Sequence, residues 1–279
     1  MDIVDTADAL RARLATAGTV AFVPTMGGLH AGHLQLMRRA HREGGTVVAS
    51  IFVNRLQFAP GEDFERYPRT FDADCASLRD ERVDVLFAPR DDVMYPVPQR
   101  YRVAPPALAG ELEGAYRPGF FEGVCTVVLK LLNLVQPDVA VFGAKDRQQL
   151  EIVRGMVEDF NLPVRIVEVA TERADDGLAL SSRNAYLSDT QRREAPALHR
   201  ALQAATRALA AGERNFARVE NDARAALAAR GWKVDYVSVR ERVGLAVPER
   251  DAAAEALVVL AAATLGTTRL IDNVAGAGD

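Results

Sequence analysis

The chain has 279 residues, and its 34 lysines and arginines are slightly outnumbered by 38 aspartates and glutamates, which gives a formal net charge of −4. That balance excludes electrostatic attraction to nucleic acid or to a membrane surface as the basis of function. The two cysteines, Cys75 and Cys125, lack metal-site spacing, and the start at Met1–Asp5 lacks the basic and apolar regions of a signal peptide. With no run of about 18 apolar residues either, we expect a soluble, cytoplasmic protein of about two domains.

The first predicted elements lead into a loop that contains two histidines. A helix over 6–14 and an apolar strand over 19–23 precede Pro24-Thr25-Met26-Gly27-Gly28-Leu29-His30-Ala31-Gly32-His33, and a helix closed by Gly44-Gly45 follows. Residues at i and i+3 share a helix face, so His30 and His33 can point at one ligand. A helix N-terminus offers free N–H groups and a positive dipole end, which favour a phosphate, and the glycines allow a close approach.

The following elements alternate between strand and helix patterns. Strands are predicted over 46–53, 83–88, 139–142 and 164–169, and helices begin at 72, 123 and 146. This alternation predicts an α/β domain with a Rossmann-like, doubly wound, mostly parallel sheet. In such a sheet, ligands bind beyond the carboxyl ends of the strands.

Polar side chains follow three of these strands, where that rule places a ligand. Gln57 follows the strand over 46–53, and its amide suits a substrate that carries hydroxyls and a carboxylate. Lys145 and Asp146 follow the strand over 139–142 and suit a phosphate and the ribose hydroxyls. After the strand over 164–169 come groups suited to a triphosphate, namely Ser181, Ser182 and Arg183. Each signal alone is typical of an ordinary loop, but together they favour a nucleotide and an acid as ligands.

The last third of the chain has a different pattern. Ser188 and Gln191 form a capping box that opens an Ala-rich helix, which we expect to run on to about Gly212. A helix over 216–230 and short strands over 233–239, 257–262 and 268–271 follow. We therefore predict a domain over 1–180 and a smaller α+β domain over 181–279.

Several longer motifs resemble those of one family in that family's order. They are P-T-M-G-x-L-H-x-G-H at Pro24, V-N-x-x-Q-F at Val53, Y-P-R-T at Tyr67, R-P-G-x-F-x-G-V at Arg117, F-G-x-K-D-x-Q-Q-L at Phe142, D-G-L-A-x-S-S-R-N at Asp176 and R-L-I-D-N at Arg269. The family is that of the pantothenate synthetases, or pantoate–β-alanine ligases, within the H-x-G-H nucleotidylyltransferase-like superfamily. The resemblance implies that ATP, with Mg²⁺ on its phosphates, activates pantoate as an adenylate that β-alanine then attacks, and that the protein is a homodimer.

The resemblance also implies residue roles. His33, His30, Lys145 and Arg183 would be catalytic, and Gln57 and Gln149 would hold pantoate, with β-alanine near Gln57. The ATP-binding set would be Met26, Gly27, Gly28, Leu29, His30, Gly32, His33, Gly143, Ala144, Lys145, Asp146, Glu172, Leu180, Ser181, Ser182 and Arg183. No protein metal ligands are implied, because phosphates and water would hold Mg²⁺.

The sequence departs from the family pattern at six positions, and two alternatives to the ligase stay open. The departures are Arg55, Phe120, Ala144, Glu172, Ala174 and Leu180. One alternative is another nucleotidylyltransferase that shares only the H-x-G-H core. The other is a nucleotide-binding homologue whose catalysis is impaired. The groups that carry charge chemistry are all present, so we expect the ligase.

Overall fold

The computed structural model describes residues 1–276, which form two compact units. The first comprises Met1–Ala144 and Ile152–Val169, and the second comprises Lys145–Glu151 and the chain from Ala170 onward. The division at residue 180 that the sequence indicates stays a prediction. Within residues 1–276, no helix is both long and apolar enough to cross a membrane.

The first unit is built on a six-stranded sheet whose strand pairings are all parallel. Its strands are β1 (Asp2–Val4), β2 (Val20–Thr25), β3 (Thr46–Ile51), β4 (Val85–Phe87), β5 (Val139–Gly143) and β6 (Arg165–Val169). They lie in the order β1-β4-β3-β2-β5-β6. From β2 the chain builds one side of the sheet through β3 and β4, and then returns to build the other side through β5 and β6. The predicted Rossmann-like parallel sheet is confirmed.

Helices connect and cover these strands. They are α1 (Ala7–Leu14), α2 (Ala31–Glu43), α3 (Phe71–Asp80), α4 (Asp91–Met94), α5 (Glu113–Tyr116), α6 (Phe120–Val135) and α7 (Arg147–Asp159). Met37 of α2 and Leu78 of α3 are fully buried in one apolar cluster with Val47 of β3. This packing holds the first turn of α2, which carries the histidines, at the end of β2.

Strand β1 was not predicted. It has only three residues, which are at most half-buried, so it shows no periodicity that a sequence pattern could reveal. Its place at the sheet edge comes from pairing with β4, a strand far along the chain, as in the register Ile3 to Leu86.

The second unit contains the antiparallel strands β7 (Lys233–Glu241), β8 (Leu257–Leu265) and β9 (Thr268–Ala275), in that order across the sheet. The helices α8 (Asp189–Glu194), α9 (Ala197–Ala210) and α10 (Phe216–Ala228) accompany them. Leu202, Leu227 and Val259, from α9, α10 and β8, are fully buried in a shared core. This arrangement confirms the predicted smaller α+β portion.

The prediction of one long helix from Ser188 to about Gly212 is wrong, because the chain breaks it at Pro196 between α8 and α9. Proline has no N–H to donate and its ring crowds the preceding turn, so the helix cannot continue through it. The predicted capping box is present: Gln191 N–H donates to Ser188 Oγ over 3.3 Å, and Ser188 N–H donates to Gln191 Oε1 over 2.9 Å.

Candidate active site

The order of strands in the first unit marks one position for a ligand. The direction in which the chain builds the sheet reverses between the neighbouring strands β2 and β5, which pair at Ala21 with Val139 and at Phe22 with Ala140. In open α/β sheets the crevice at such a switch point, beyond the carboxyl ends of the strands, is where ligands bind. The histidine loop follows β2 there, and Gly143 ends β5 beside it.

The histidine loop depends on two glycines and a buried carboxylate. Gly27 and Gly28 have φ of +78° and +62°, a region that side chains disfavour. In this conformation the N–H groups of Gly28 and Leu29 donate to the two oxygens of Asp74, over 2.9 and 2.8 Å. The Thr70 hydroxyl donates to the same carboxylate over 3.1 Å. Asp74 therefore holds the loop at the end of β2.

Asp74 was predicted only as part of the start of a helix, although it is 3% exposed. Its signal was its place in α3 beside Cys75 and four residues before Leu78, both of which are buried. A carboxylate on an apolar helix face needs a partner. The N–H groups of Gly28 and Leu29 serve as that partner, so these two donors are engaged within the protein. That the backbone from Met26 to His33 binds ATP stays a prediction.

We expect Asp74→Asn to lower the free energy of unfolding by about 1–3 kcal/mol, since an amide offers one oxygen and one NH₂ to two backbone donors. Whichever way the amide turns, one N–H of Gly28 or Leu29 then faces another donor. Urea unfolding followed by circular dichroism would measure the change. The matched control is Asp72→Asn on an exposed position of the same helix, and equal stability of the two variants would contradict the role of Asp74.

The two histidines lie side by side at the start of α2. Their ring centroids are 4.1 Å apart with the planes tilted by 44°, as the spacing of three residues predicts. His30 is the N-cap, and its backbone N–H donates to Nδ1 of His33 over 3.3 Å. Since Nδ1 accepts this bond, the proton of neutral His33 sits on Nε2. His33 can therefore offer an N–H donor to an anion beyond the helix terminus.

Gln57 lies next to the histidine loop. It ends a short 3₁₀ turn, Arg55–Gln57, after β3, and it is 8% exposed. Its Nε2 lies 3.2 Å from Sδ of Met26. Behind the turn, helix α6 comes so close that a Cβ added to Gly123 would lie 2.3 Å from the carbonyl oxygen of Leu56. Gly123 is therefore required for this contact between helix and turn.

Two of the departures from the family pattern have partners in the first unit. The guanidinium of Arg55 lies 4.1 Å from the ring centroid of Phe64. Arg117 lies 3.8 Å from the ring of Phe120, and it also donates to the carbonyl oxygen of Gln57 over 3.2 Å. Phe120 thus packs on an arginine that supports the Gln57 turn.

In the second unit, Lys145 starts the segment that follows Gly143 and Ala144. Its Nζ lies 3.4 Å from a carboxylate oxygen of Asp146, and its own side chain is 17% exposed. The Asn273 side chain donates to the Lys145 carbonyl over 2.9 Å, which ties this segment to β9. Gln149 lies two residues into α7 and is half-buried.

The predicted triphosphate residues follow a narrow hairpin. Leu180 N–H donates to the Glu172 carbonyl over 2.9 Å, and Arg173 and Ala179 form a bridge. Ser181 then caps the 3₁₀ helix Ser182–Tyr186, because the Arg183 N–H donates to its hydroxyl over 3.3 Å. The hairpin therefore fixes the start of the segment that contains Ser181, Ser182 and Arg183.

A buried ion pair anchors this hairpin, and sequence reasoning assigned it no role. Arg173 donates to both oxygens of Asp272, over 2.8 and 3.0 Å, and to the carbonyls of Gly177 and Asn273, over 3.2 and 3.1 Å. Nδ1 of His199 lies 3.6 Å from the same carboxylate. The motif R-L-I-D-N contains Asp272, but it lies 99 positions from its partner, so no local pattern could pair the two.

Comparisons with known proteins agree on one family. The family model described as Pantoate-beta-alanine ligase matches residues 2–275. Pantothenate synthetase of Thiobacillus denitrificans is 58% identical over 275 residues, which cover 98% of this chain and 96% of that protein. The crystal structure of pantothenate synthetase from Thermus thermophilus has a TM-score of 0.93 at 47% identity, covering 99% of both chains. The pantoate-beta-alanine ligase of Francisella tularensis, crystallised with Beta-gamma ATP and beta-alanine, has a TM-score of 0.83 at 32% identity, covering 100% of this chain and 99% of that one.

Proposed function

This chain belongs to the pantoate–β-alanine ligase family, and from that premise we propose how its residues carry out the reaction. The chain is an enzyme that ligates pantoate with β-alanine, and ATP is a substrate. The observation that carries the assignment of residues is the histidine pair at the strand switch point, with Gln57 beside it.

We propose two steps. A carboxylate oxygen of pantoate attacks the α-phosphorus of ATP, the bond from that phosphorus to the bridging oxygen breaks, and pyrophosphate leaves. The ammonium group of β-alanine loses a proton to water, and the neutral amine attacks the carbonyl carbon of the adenylate. The nitrogen then loses a second proton to water as the amide forms, and the acyl C–O bond breaks to release AMP. Phosphoryl chemistry of this kind depends mainly on positioning and on stabilisation of charge.

Four side chains would supply that charge stabilisation. Nε2–H of His33 would donate to a phosphate oxygen, with His30 beside it at the helix terminus. Lys145 and Arg183 would place positive charge on the phosphates, the lysine as a point charge and the arginine through its planar fork. Preorganised donors aimed at developing negative charge are usually the largest catalytic contribution.

The remaining predicted residues would bind the rest of ATP and the acid. Gly28 and Leu29 would line the ATP site, while their N–H groups donate to Asp74. Asp146 would accept hydrogen bonds from the ribose hydroxyls. Gln57 and Gln149 would hold pantoate. The other members of the ATP set are Met26, Gly27, Gly32, Gly143, Ala144, Glu172, Leu180, Ser181 and Ser182.

Mg²⁺ would accompany the phosphates. Within residues 1–276, no three His, Cys, Asp or Glu side chains converge as a metal-binding group. Phosphate oxygens and water are the ligands that Mg²⁺ prefers in sites of this type. When bound, Mg²⁺ would neutralise phosphate charge and would be held mainly by the phosphates and by water.

The assembly and the location are proposed from the family resemblance. We propose that the enzyme acts as a homodimer in the cytoplasm. Sedimentation equilibrium at micromolar concentration should give twice the mass of the chain, and a monomer mass across that range would contradict the dimer.

The decisive experiment asks whether pantoate and ATP react before β-alanine arrives. Mixing enzyme with pantoate and MgATP should release pyrophosphate in a burst of about one per active site, because the adenylate stays bound. Hydroxylamine should trap that adenylate as a hydroxamate. Oxygen label in the pantoate carboxylate should appear in AMP after β-alanine is added, since the acyl C–O bond breaks in the second step.

The same series separates the alternatives. Another nucleotidylyltransferase would keep the nucleotide in its product, and a homologue with impaired catalysis would bind ATP without releasing pyrophosphate. If enzyme shown to bind both ligands gives neither a burst nor labelled AMP, the adenylate mechanism is wrong.

A further inference from the structure

The side chain of Asn54 is buried beneath the proposed acid pocket, at 1% exposure. Contacts with two backbone groups identify which amide atom of Asn54 is the oxygen and which is the nitrogen. Leu56 N–H approaches one amide atom at 3.3 Å, and the carbonyl oxygen of Gly123 approaches the other at 3.1 Å. An N–H can only donate and a carbonyl can only accept, so the first atom is Oδ1 and the second is Nδ2.

The fixed amide of Asn54 determines the polarity of Gln57. Nδ2 of Asn54 also lies 3.0 Å from the amide of Gln57, so the atom that it meets must be the acceptor Oε1. The NH₂ of Gln57 is then turned the other way, toward Sδ of Met26 at 3.2 Å. Thioether sulfur is a weak acceptor, so a substrate oxygen could replace it as the partner.

Tyr95 completes this chain of hydrogen bonds. Its hydroxyl lies 2.7 Å from Oδ1 of Asn54 and must donate, because Oδ1 is already identified as an acceptor. Burial raises the pKa of the Tyr95 hydroxyl above its usual range, so the hydroxyl keeps its proton. Packing also holds the ring, with the Phe52 ring centroid 5.9 Å away and Lys130 Nζ 4.6 Å from its centre.

We propose that Tyr95 and Asn54 are positioning residues that fix the Gln57 amide as a hydrogen-bond donor toward the acid substrate. The proposal rests on the proposed role of Gln57 in binding pantoate. An amide side chain can present either its oxygen or its NH₂ by turning over, so Gln57 needs a partner that selects one of the two. We call the two hydrogen bonds from Tyr95 to Asn54 and from Asn54 to Gln57 the relay. With the relay in place, Gln57 meets the substrate only through N–H, which matches a carboxylate or hydroxyl oxygen.

The test is Tyr95→Phe, which removes one oxygen atom and keeps the ring. The variant leaves Oδ1 of Asn54 with only the longer contact to Leu56 N–H, at 3.3 Å, so Asn54 and the Gln57 amide that it orients are held less firmly. We expect the KM and Kd of pantoate to rise up to about fivefold, which corresponds to about one ordinary hydrogen bond, while the KM of ATP stays unchanged. The matched control is Tyr101→Phe, because Tyr101 is 85% exposed. Steady-state kinetics and calorimetry with pantoate would measure both quantities.

A double-mutant cycle separates positioning through Gln57 from general damage. In a Gln57→Ala background, Tyr95→Phe should no longer change pantoate affinity, because the amide that it orients is gone. A second variant, Asn54→Ala, should show the same dependence on Gln57. An unchanged effect of Tyr95→Phe in the Gln57→Ala background, or equal losses for pantoate and ATP, would overturn the relay.

The outcomes also distinguish the relay from the function on which it rests. If Gln57→Ala itself leaves pantoate affinity intact, the proposed acid pocket is wrong. If Gln57→Ala weakens pantoate but Tyr95→Phe does not, the pocket stands and the relay is wrong.

Discussion

Replacing His33 with alanine should slow the release of pyrophosphate from pantoate and ATP by roughly a hundredfold or more, because one preorganised donor to the reacting phosphates is lost. The rate should fall while the KM of ATP changes little, since the donor acts mainly on charge that develops in the transition state. Rapid-quench measurement of pyrophosphate in the first turnover isolates this step from the later attack by β-alanine.

The control for His33 lies in the same helix. His41 is exposed near the other end of α2, where its ring contacts the Glu81 carbonyl, so His41→Ala should leave the first turnover unchanged. Circular dichroism should show both variants folded. A folded His33→Ala enzyme that turns over within threefold of wild type would rule out the catalytic role.

Replacing Asp272 with alanine should lower the free energy of unfolding by about 3–5 kcal/mol, because it leaves the guanidinium of Arg173 without its carboxylate. The Asp272 side chain is 2% exposed and that of Arg173 is 14% exposed, so the guanidinium would lose its counter-charge where little solvent screens it. The chain leading to Ser181, Ser182 and Arg183 should loosen as well. Urea unfolding would measure the stability, and the KM of ATP should rise in parallel.

Two further variants test whether the buried charge is responsible. Asp222→Ala removes a carboxylate that is 76% exposed and 3.8 Å from Arg218, and such surface pairs contribute about 0–1 kcal/mol. The double variant Arg173→Met with Asp272→Leu removes both charges and should recover much of the lost stability. A double variant less stable than Asp272→Ala would contradict this explanation.

Features encoded by neighbouring residues were predictable. The apolar runs at 19–23 and 46–53 predicted strands close to the observed β2 (Val20–Thr25) and β3 (Thr46–Ile51), and the i, i+3 spacing predicted that the rings of His30 and His33 lie side by side. The alternation of strands and helices predicted the parallel sheet, and the placement of the candidate site beyond the carboxyl ends of its strands stays a prediction from that topology.

Features set by distant contacts were not predictable. Asp74 meets Gly28 across 46 positions, and Arg173 meets Asp272 across 99. Neither carboxylate stands in a pattern that identifies its partner. Pro196 is different, because the signal was present in the sequence and the Ala-rich periodicity around it favoured a continuous helix.

The contact at Gly123 has a consequence for changing the substrate. A methyl group there would meet the carbonyl of Leu56 and lie 2.7 Å from Cα of Gln57, so any larger residue must displace the whole turn. Directed evolution toward a bulkier acid could trim single side chains around Gln57 independently. A substitution at position 123 would instead shift the turn as one body, so we expect such variants to lose the native acid and to be rare among improved enzymes.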